Sequence, residues 1–108
     1  MTAITVFKTK DNQYKGFSCS GHAGFQDIGK DIVCASISIL VINTINAIEK
    51  FTDQKFSVQE DEKKGRIELR LEGTLSKDSV LLLDAMVLGL TEIQKNYSKF
   101  CKVNFKEV

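Results

Sequence analysis

The stretch DIVCASISILVINTINAIEKF, Asp31 to Phe51, decides how this chain folds. Its apolar residues Ile32, Val33, Ile37, Leu40, Val41, Ile45, Ile48 and Phe51 recur at three- and four-residue intervals, the spacing of one helix face. Asp31 directly precedes the run, where its carboxylate can accept from the unpaired N–H groups of a first turn, so it is expected as the N-cap. Ile39, Ile42 and Ala47 widen the stripe, so the helix is expected to be buried on most sides or shared with a second copy of the chain. A helix this apolar needs other elements to lie on, and the flanking sequence supplies them.

Upstream, Ile4 to Lys8 alternates apolar and polar residues, Asp11-Asn12-Gln13 carries turn chemistry, and Tyr14 to His22 resumes an extended pattern, which reads as a β-hairpin. In its second strand Phe17, Cys19 and Gly21 share one face and Ser18, Ser20 and His22 the other, so Cys19 is expected in the core and His22 off it. Ala23 to Lys30, with Gly24 and Gly29 near its ends, reads as a loop able to gate a site. Downstream, Lys55 to Glu60 and Arg66 to Leu71 alternate around the charged turn Asp61 to Gly65, a second hairpin. Ser76 opens another helix through Val80 to Leu90, an apolar run broken by Asp84 and Gly89. Cys101, Val103 and Phe105 then alternate with Lys102, Asn104 and Lys106, giving a fifth strand in which Cys101 is expected to be half-buried. The order ββαββαβ predicts an α+β fold, a mainly antiparallel five-stranded sheet packed with two helices, as a single domain over residues 1–108.

Composition narrows the function. With 43% hydrophobic residues in 108, the chain can bury one modest core. Fifteen basic against fourteen acidic residues leave a net charge of +1, so no global footprint for nucleic acid or an anionic membrane is present, and direct nucleic-acid binding is not expected. The N-terminus lacks a basic segment followed by an apolar one, and no stretch is read as approaching the ~20 uninterrupted apolar residues of a membrane span. Three cysteines without a Cys-x-x-Cys spacing suit a reducing cytoplasm, where the protein is expected to be soluble and free of disulfides. The same spacing gives no paired metal ligands, so neither metal nor cofactor is expected.

The chemistry gathers at His22, the only histidine, and Cys34. With Asp31 as cap, Cys34 would be the third helical residue, beside free backbone N–H groups and the positive end of the helix dipole, where a thiol is readily a nucleophile and an oxyanion can be held. His22, flanked by Gly21 and Gly24, would serve as general base and then as the acid that protonates a departing amine. Ser38, one turn beyond Cys34, can hydrogen-bond near the site. On pattern alone a cysteine opening a helix is most often inert packing, and a serine or an aspartate there bonds to its own helix.

Gly21-His22-Ala23, Asp31-Ile32-Val33-Cys34-Ala35 and Ser38 together resemble the ribosomal-processing cysteine protease family Prp, and the remaining elements agree in pattern. The resemblance implies a homodimeric cytoplasmic cysteine endopeptidase that removes the N-terminal extension of a large-subunit ribosomal protein. It also implies a catalytic pair of His22 and Cys34, with the intervening loop gating the substrate. The chain departs from the family pattern in having Asp27-Ile28-Gly29-Lys30 where Glu-Tyr-Gly-His is common, and Ser36 where a second alanine is common. These differences bear on loop contacts and leave the pair's spacing intact. Two other classes stay open at this point: a non-catalytic ribosome-assembly binding module, and a redox thiol protein, for which the spacing suggests no resolving cysteine.

Overall fold

The computed structural model of the chain describes residues 1–21 and 28–108, with side chains described up to residue 21 and again from residue 32. Its order is β1 (Thr2–Lys8), β2 (Tyr14–Ser20), α1 (Ile28–Phe51), β3 (Lys55–Asp61), β4 (Arg66–Glu72), α2 (Lys77–Asn96) and β5 (Cys101–Glu107). The ββαββαβ reading and the α+β class hold. The five strands form one sheet in the order β3-β4-β2-β1-β5. All neighbours are antiparallel except β1 and β5, which run parallel with Thr2 opposite Cys101.

Strand alternation sends Ile4 and Val6 of β1, Phe17 and Cys19 of β2 and Leu69 of β4 into the core shared with the helices. Helix α1 answers with Val33, Ile37, Val41, Ile45 and Ile48, and α2 with Leu83, Met86 and Leu90. At about 1.5–3 kcal/mol for each large side chain buried, this row is what fixes α1 to the sheet. The two breaks in the α2 apolar run each have a partner. Tyr14 donates a hydrogen bond to Asp84 Oδ1 at 2.6 Å. A Cβ on Gly89 would stand 2.7 Å from Leu40 Cδ2, so a larger residue there would make the Leu40 side chain shift. Ser76 caps α2 by accepting from the Ser79 N–H. Gln54, itself buried, ties the hairpin to that cap: its Nε2 donates to the Glu72 carbonyl at 2.9 Å and its Oε1 accepts from Ser76 N at 3.1 Å.

Several expectations change. Helix α1 begins at Ile28, one turn before the predicted start, so Asp31 lies inside the helix and is not its N-cap. Gly29 belongs to α1 as well, not to the loop. Ile28 stands four residues before Ile32, so the helical spacing extends backward, and one glycine in a helix costs only about 1 kcal/mol against alanine. Within one chain α1 is not buried on most sides, the first of the two alternatives: Ile32, Ile39, Ile42 and Phe51 are exposed, Ile39 at 71%. Cys101 is fully buried, because it starts β5 beside Thr2 in the helix-covered part of the sheet. Finally, Ile32–Phe51 is long and apolar enough to cross a membrane by length and composition, with a mean hydropathy of 1.8. Counting uninterrupted residues missed this because Asn43, Thr44, Asn46, Glu49 and Lys50 interrupt a run whose average stays high. In the fold the row Val33, Ile37, Val41, Ile45 and Ile48 packs in the common core.

Candidate active site

Cys34 is the seventh residue of α1, in its second turn, and is 5% exposed. The unpaired N–H groups of a helix belong to its first four residues, here Ile28 to Asp31, so the amides at and after Ile32 are committed to the helix. The expected oxyanion donors beside the thiol are therefore a turn away. The hydrogen bond at the sulfur comes from elsewhere: Thr2 Oγ1 lies 3.0 Å from Cys34 Sγ, and Thr2 is buried.

A cavity of about 370 Å³ opens at this point. Cys34, Ala35, Ser38 and Ile42 of α1 form one wall, with Thr2, Cys19 and Gly21 at the sheet end. The β3–β4 hairpin closes it through Glu60, Asp61, Glu62, Gly65, Arg66 and Ile67. Arg66 donates to Glu68 Oε1 at 2.6 Å, and Arg70 donates to the other oxygen at 3.0 Å. The hydrogen bond and charge of Arg70, followed by those of Arg66, hold Glu68 below the usual carboxylate range despite partial burial. Ser38 is exposed on the cavity wall one turn from Cys34, as its spacing predicted.

Gly21 has φ +96°, and a Cβ there would come within 2.4 Å of the Met1 carbonyl oxygen. Only glycine fits where the chain leaves β2 across the start of β1. Strand alternation therefore stops at Ser20 and gives no direction for the next side chain. His22, Gly24 and the rest of residues 22–27 lie outside the described residues. The cavity thus contains the nucleophile candidate and the residue preceding the base candidate.

The three thiols are free and buried. Burial, then the charges of Cys101 and Cys34, pushes the Cys19 thiol up from 9.0 to about 11. Burial and then Cys34 also push Cys101 up. Both are held in their protonated, weakly nucleophilic form at neutral pH. The sequence missed that Cys19 and Cys34 line one cavity, because 15 residues and a change of element separate them. It also missed Thr2, whose only signal was a small polar residue at the start of an alternating strand. Among the described residues no group of three or more histidine, cysteine, aspartate or glutamate side chains is arranged to hold a metal ion.

An α+β fold with a thiol lining a cavity is a frame that a cysteine protease can use, and comparison with known proteins gives the class. Residues 1–102 match the model of the family described as cysteine protease Prp. The chain is 30% identical over 106 residues to the ribosomal processing cysteine protease Prp of Staphylococcus aureus, covering 98% of this chain and all of that one. With the Bacillus subtilis protein of the same name it shares 24% over 107 residues, covering 95% of this chain and 96% of that one. In three dimensions it is similar to the Staphylococcus aureus protease crystallised with a covalently linked product peptide, with TM-score 0.88, 25% identity and coverage of 98% and 100%. The crystal structure of the same protease with a substrate peptide has the same fold, with TM-score 0.91, 24% identity and the same coverage. The chain belongs to the cysteine protease Prp family and is a cysteine protease.

Proposed function

We propose that this protein removes the N-terminal extension of a large-subunit ribosomal protein during ribosome maturation, with Cys34 as nucleophile and His22 as general acid and base. One observation carries the assignment to Cys34. Of three buried thiols, it is the one on the helical wall of the cavity with a hydroxyl partner. His22 follows Gly21, which lines that same cavity and whose backbone crosses the strand that carries Thr2. The Staphylococcus aureus relative is named for ribosomal processing and was crystallised with a covalently linked product peptide, which fits covalent catalysis.

In this mechanism His22 accepts the Cys34 proton as the sulfur attacks the scissile carbonyl carbon. The same proton passes to the departing amine as the C–N bond breaks, which leaves a thioester on Cys34. His22 then deprotonates a water that attacks the thioester, and the carboxylic acid product and the free thiol are released. Ser38 supports the site from one turn away, and Asp31 from the first turn of α1. Residues 23–27, with Gly24, gate access, together with Gly29 in the first turn of α1. The substrate lies extended between α1 and the β3–β4 hairpin, where Ile42 and Ile67 offer apolar contact. The protein works in the cytoplasm, away from membranes and without direct contact to nucleic acid. It acts as a homodimer joined through exposed apolar residues of its helices, among them Ile39, Leu81 and Leu88. No cofactor takes part.

The experiment is cleavage of an N-terminally extended large-subunit ribosomal protein, followed by mass. Wild-type protein is expected to shorten it at one bond, and Cys34→Ala and His22→Ala to leave it intact. Cleavage by Cys34→Ala at the wild-type rate would sink the assignment. Cys34→Ser is expected to be severely impaired, since a hydroxyl beside a single histidine ionises poorly without a fuller triad.

A further inference from the structure

We infer that Thr2 is a positioning residue for the reaction: its hydroxyl fixes the Cys34 sulfur and donates a hydrogen bond to it when it becomes the attacking thiolate. The inference rests on the reading of Cys34 as nucleophile and adds a residue from the other end of the fold. Thr2 Oγ1 and Cys34 Sγ are 3.0 Å apart, and both residues line the cavity. Thr2 is 2% exposed, so its hydroxyl needs a partner within the protein.

The hydroxyl is held from several sides. The Thr2 N–H donates to the Phe100 carbonyl at 2.9 Å, and parallel pairing sets Thr2 opposite Cys101. Gly21 packs against Met1 and Thr2 so closely that no side chain fits there. Branching at Cβ restricts χ1, so the oxygen has few directions open to it. A donor fixed in this way does not have to reorganise when charge develops at sulfur.

Chemistry settles which atom donates in the reactive state. In the neutral pair either the thiol or the hydroxyl can donate. A thiolate has no proton to give, so the hydroxyl must donate to it, and such charge-assisted bonds are roughly twice as strong as neutral ones. The threonine hydroxyl is no base at neutral pH, so the proton of Cys34 still goes to His22. Thr2 thus supplies from β1 the donor that the sequence led one to expect from the helix start, now a turn away at Ile28.

The test compares Thr2→Val, which keeps the shape and removes the hydroxyl, with Thr2→Ser, which keeps the hydroxyl. Two readouts apply to the full-length protein: kcat and KM on an extended peptide substrate, and the rate of Cys34 carbamidomethylation by iodoacetamide at neutral pH, mapped by mass. Thr2→Val is expected to lower kcat about tenfold with KM nearly unchanged, and to slow alkylation of Cys34 by a similar factor. Thr2→Ser is expected to stay within about threefold of wild type in both. Thermal melting checks that each variant is folded, and Thr2→Ala replaces Thr2→Val if valine disrupts the strand. Wild-type kcat and alkylation in Thr2→Val or Thr2→Ala, or a Thr2→Ser variant as slow as Thr2→Val, would overturn the inference. Alkylation reports on the Thr2–Cys34 pair without proteolysis, so the effect of Thr2 on the sulfur stays measurable even where the nucleophile assignment fails.

Discussion

At the scale of single residues, burial raises the pKa of two thiols, Cys19 and Cys101. Cys19 sits in the apolar wall and is pushed up to about 11, whereas an unfolded chain would ionise it near 9.0. Its folded value is the higher one, so the stabilisation it brings is complete below pH 9 and is lost as pH rises from about 9 through 11. The loss is on the order of 2 kcal/mol. Denaturation midpoints measured across this range are expected to fall, and to fall less steeply in Cys19→Ala; an equal slope in both proteins would contradict this. Tyr14 and Cys101, both raised by burial, add to the decline in the same direction, so Cys19→Ala keeps a residual slope. Gly21 is the glycine whose backbone conformation bears on the cavity. Gly21→Ala is expected to destabilise by about 1–3 kcal/mol and to lower activity by displacing the neighbouring His22, as denaturant unfolding and substrate turnover would reveal. Glycine at 21 was visible in the sequence, but its reason was not: the steric limit comes from Met1, and nothing in a linear pattern brings residues 1 and 21 together.

Among elements, the strands were legible because each alternates with period two. Helix α2 was legible because Ser76 marks its start before an apolar run. The start of α1 was not, since Gly29 reads as loop punctuation and Asp31 as a cap, while the helix runs through both from Ile28. That error moved Cys34 by a turn and hid its true partner. Pairing of β1 with β5 was equally hidden: parallel neighbours at opposite ends of a chain leave no local signature, yet this register brings Cys101 beside Thr2 and buries it. The joint between the second hairpin and α2 depends on one side chain. Gln54→Ala strips the Glu72 carbonyl and the Ser76 N–H of their partner, and unfolding titrations are expected to report a loss of about 1–3 kcal/mol with no change in the reactivity of Cys34. A stability within a few tenths of wild type would mean that water replaces the amide.

For the molecule as a whole, the sheet and its helices form a scaffold with a cavity where the first strand, the start of the second connection, the first helix and a hairpin tip converge. Of the residues described at that cavity, the sequence pointed to Cys34 and Ser38 and passed over Thr2, Cys19 and the acidic hairpin tip, while His22 lies outside the described residues. The missing members come from segments far apart in the chain and meet only through sheet order. The exposed isoleucines and leucines of the helices make the oligomeric state a separate matter, which Ile39→Lys addresses: a wild-type dimer and a monomeric variant are the masses expected in solution. The proposed chemistry turns above all on Cys34 as the attacking sulfur. A substrate-like peptide bearing a chloromethyl ketone, reacted with the protein at neutral pH and mapped by mass, tests this most directly. One label per chain on Cys34, absent from Cys34→Ala and slowed in His22→Ala, is the result expected. Labelling on Cys19 or Cys101, or a Cys34→Ala protein labelled as fast as wild type, would contradict it.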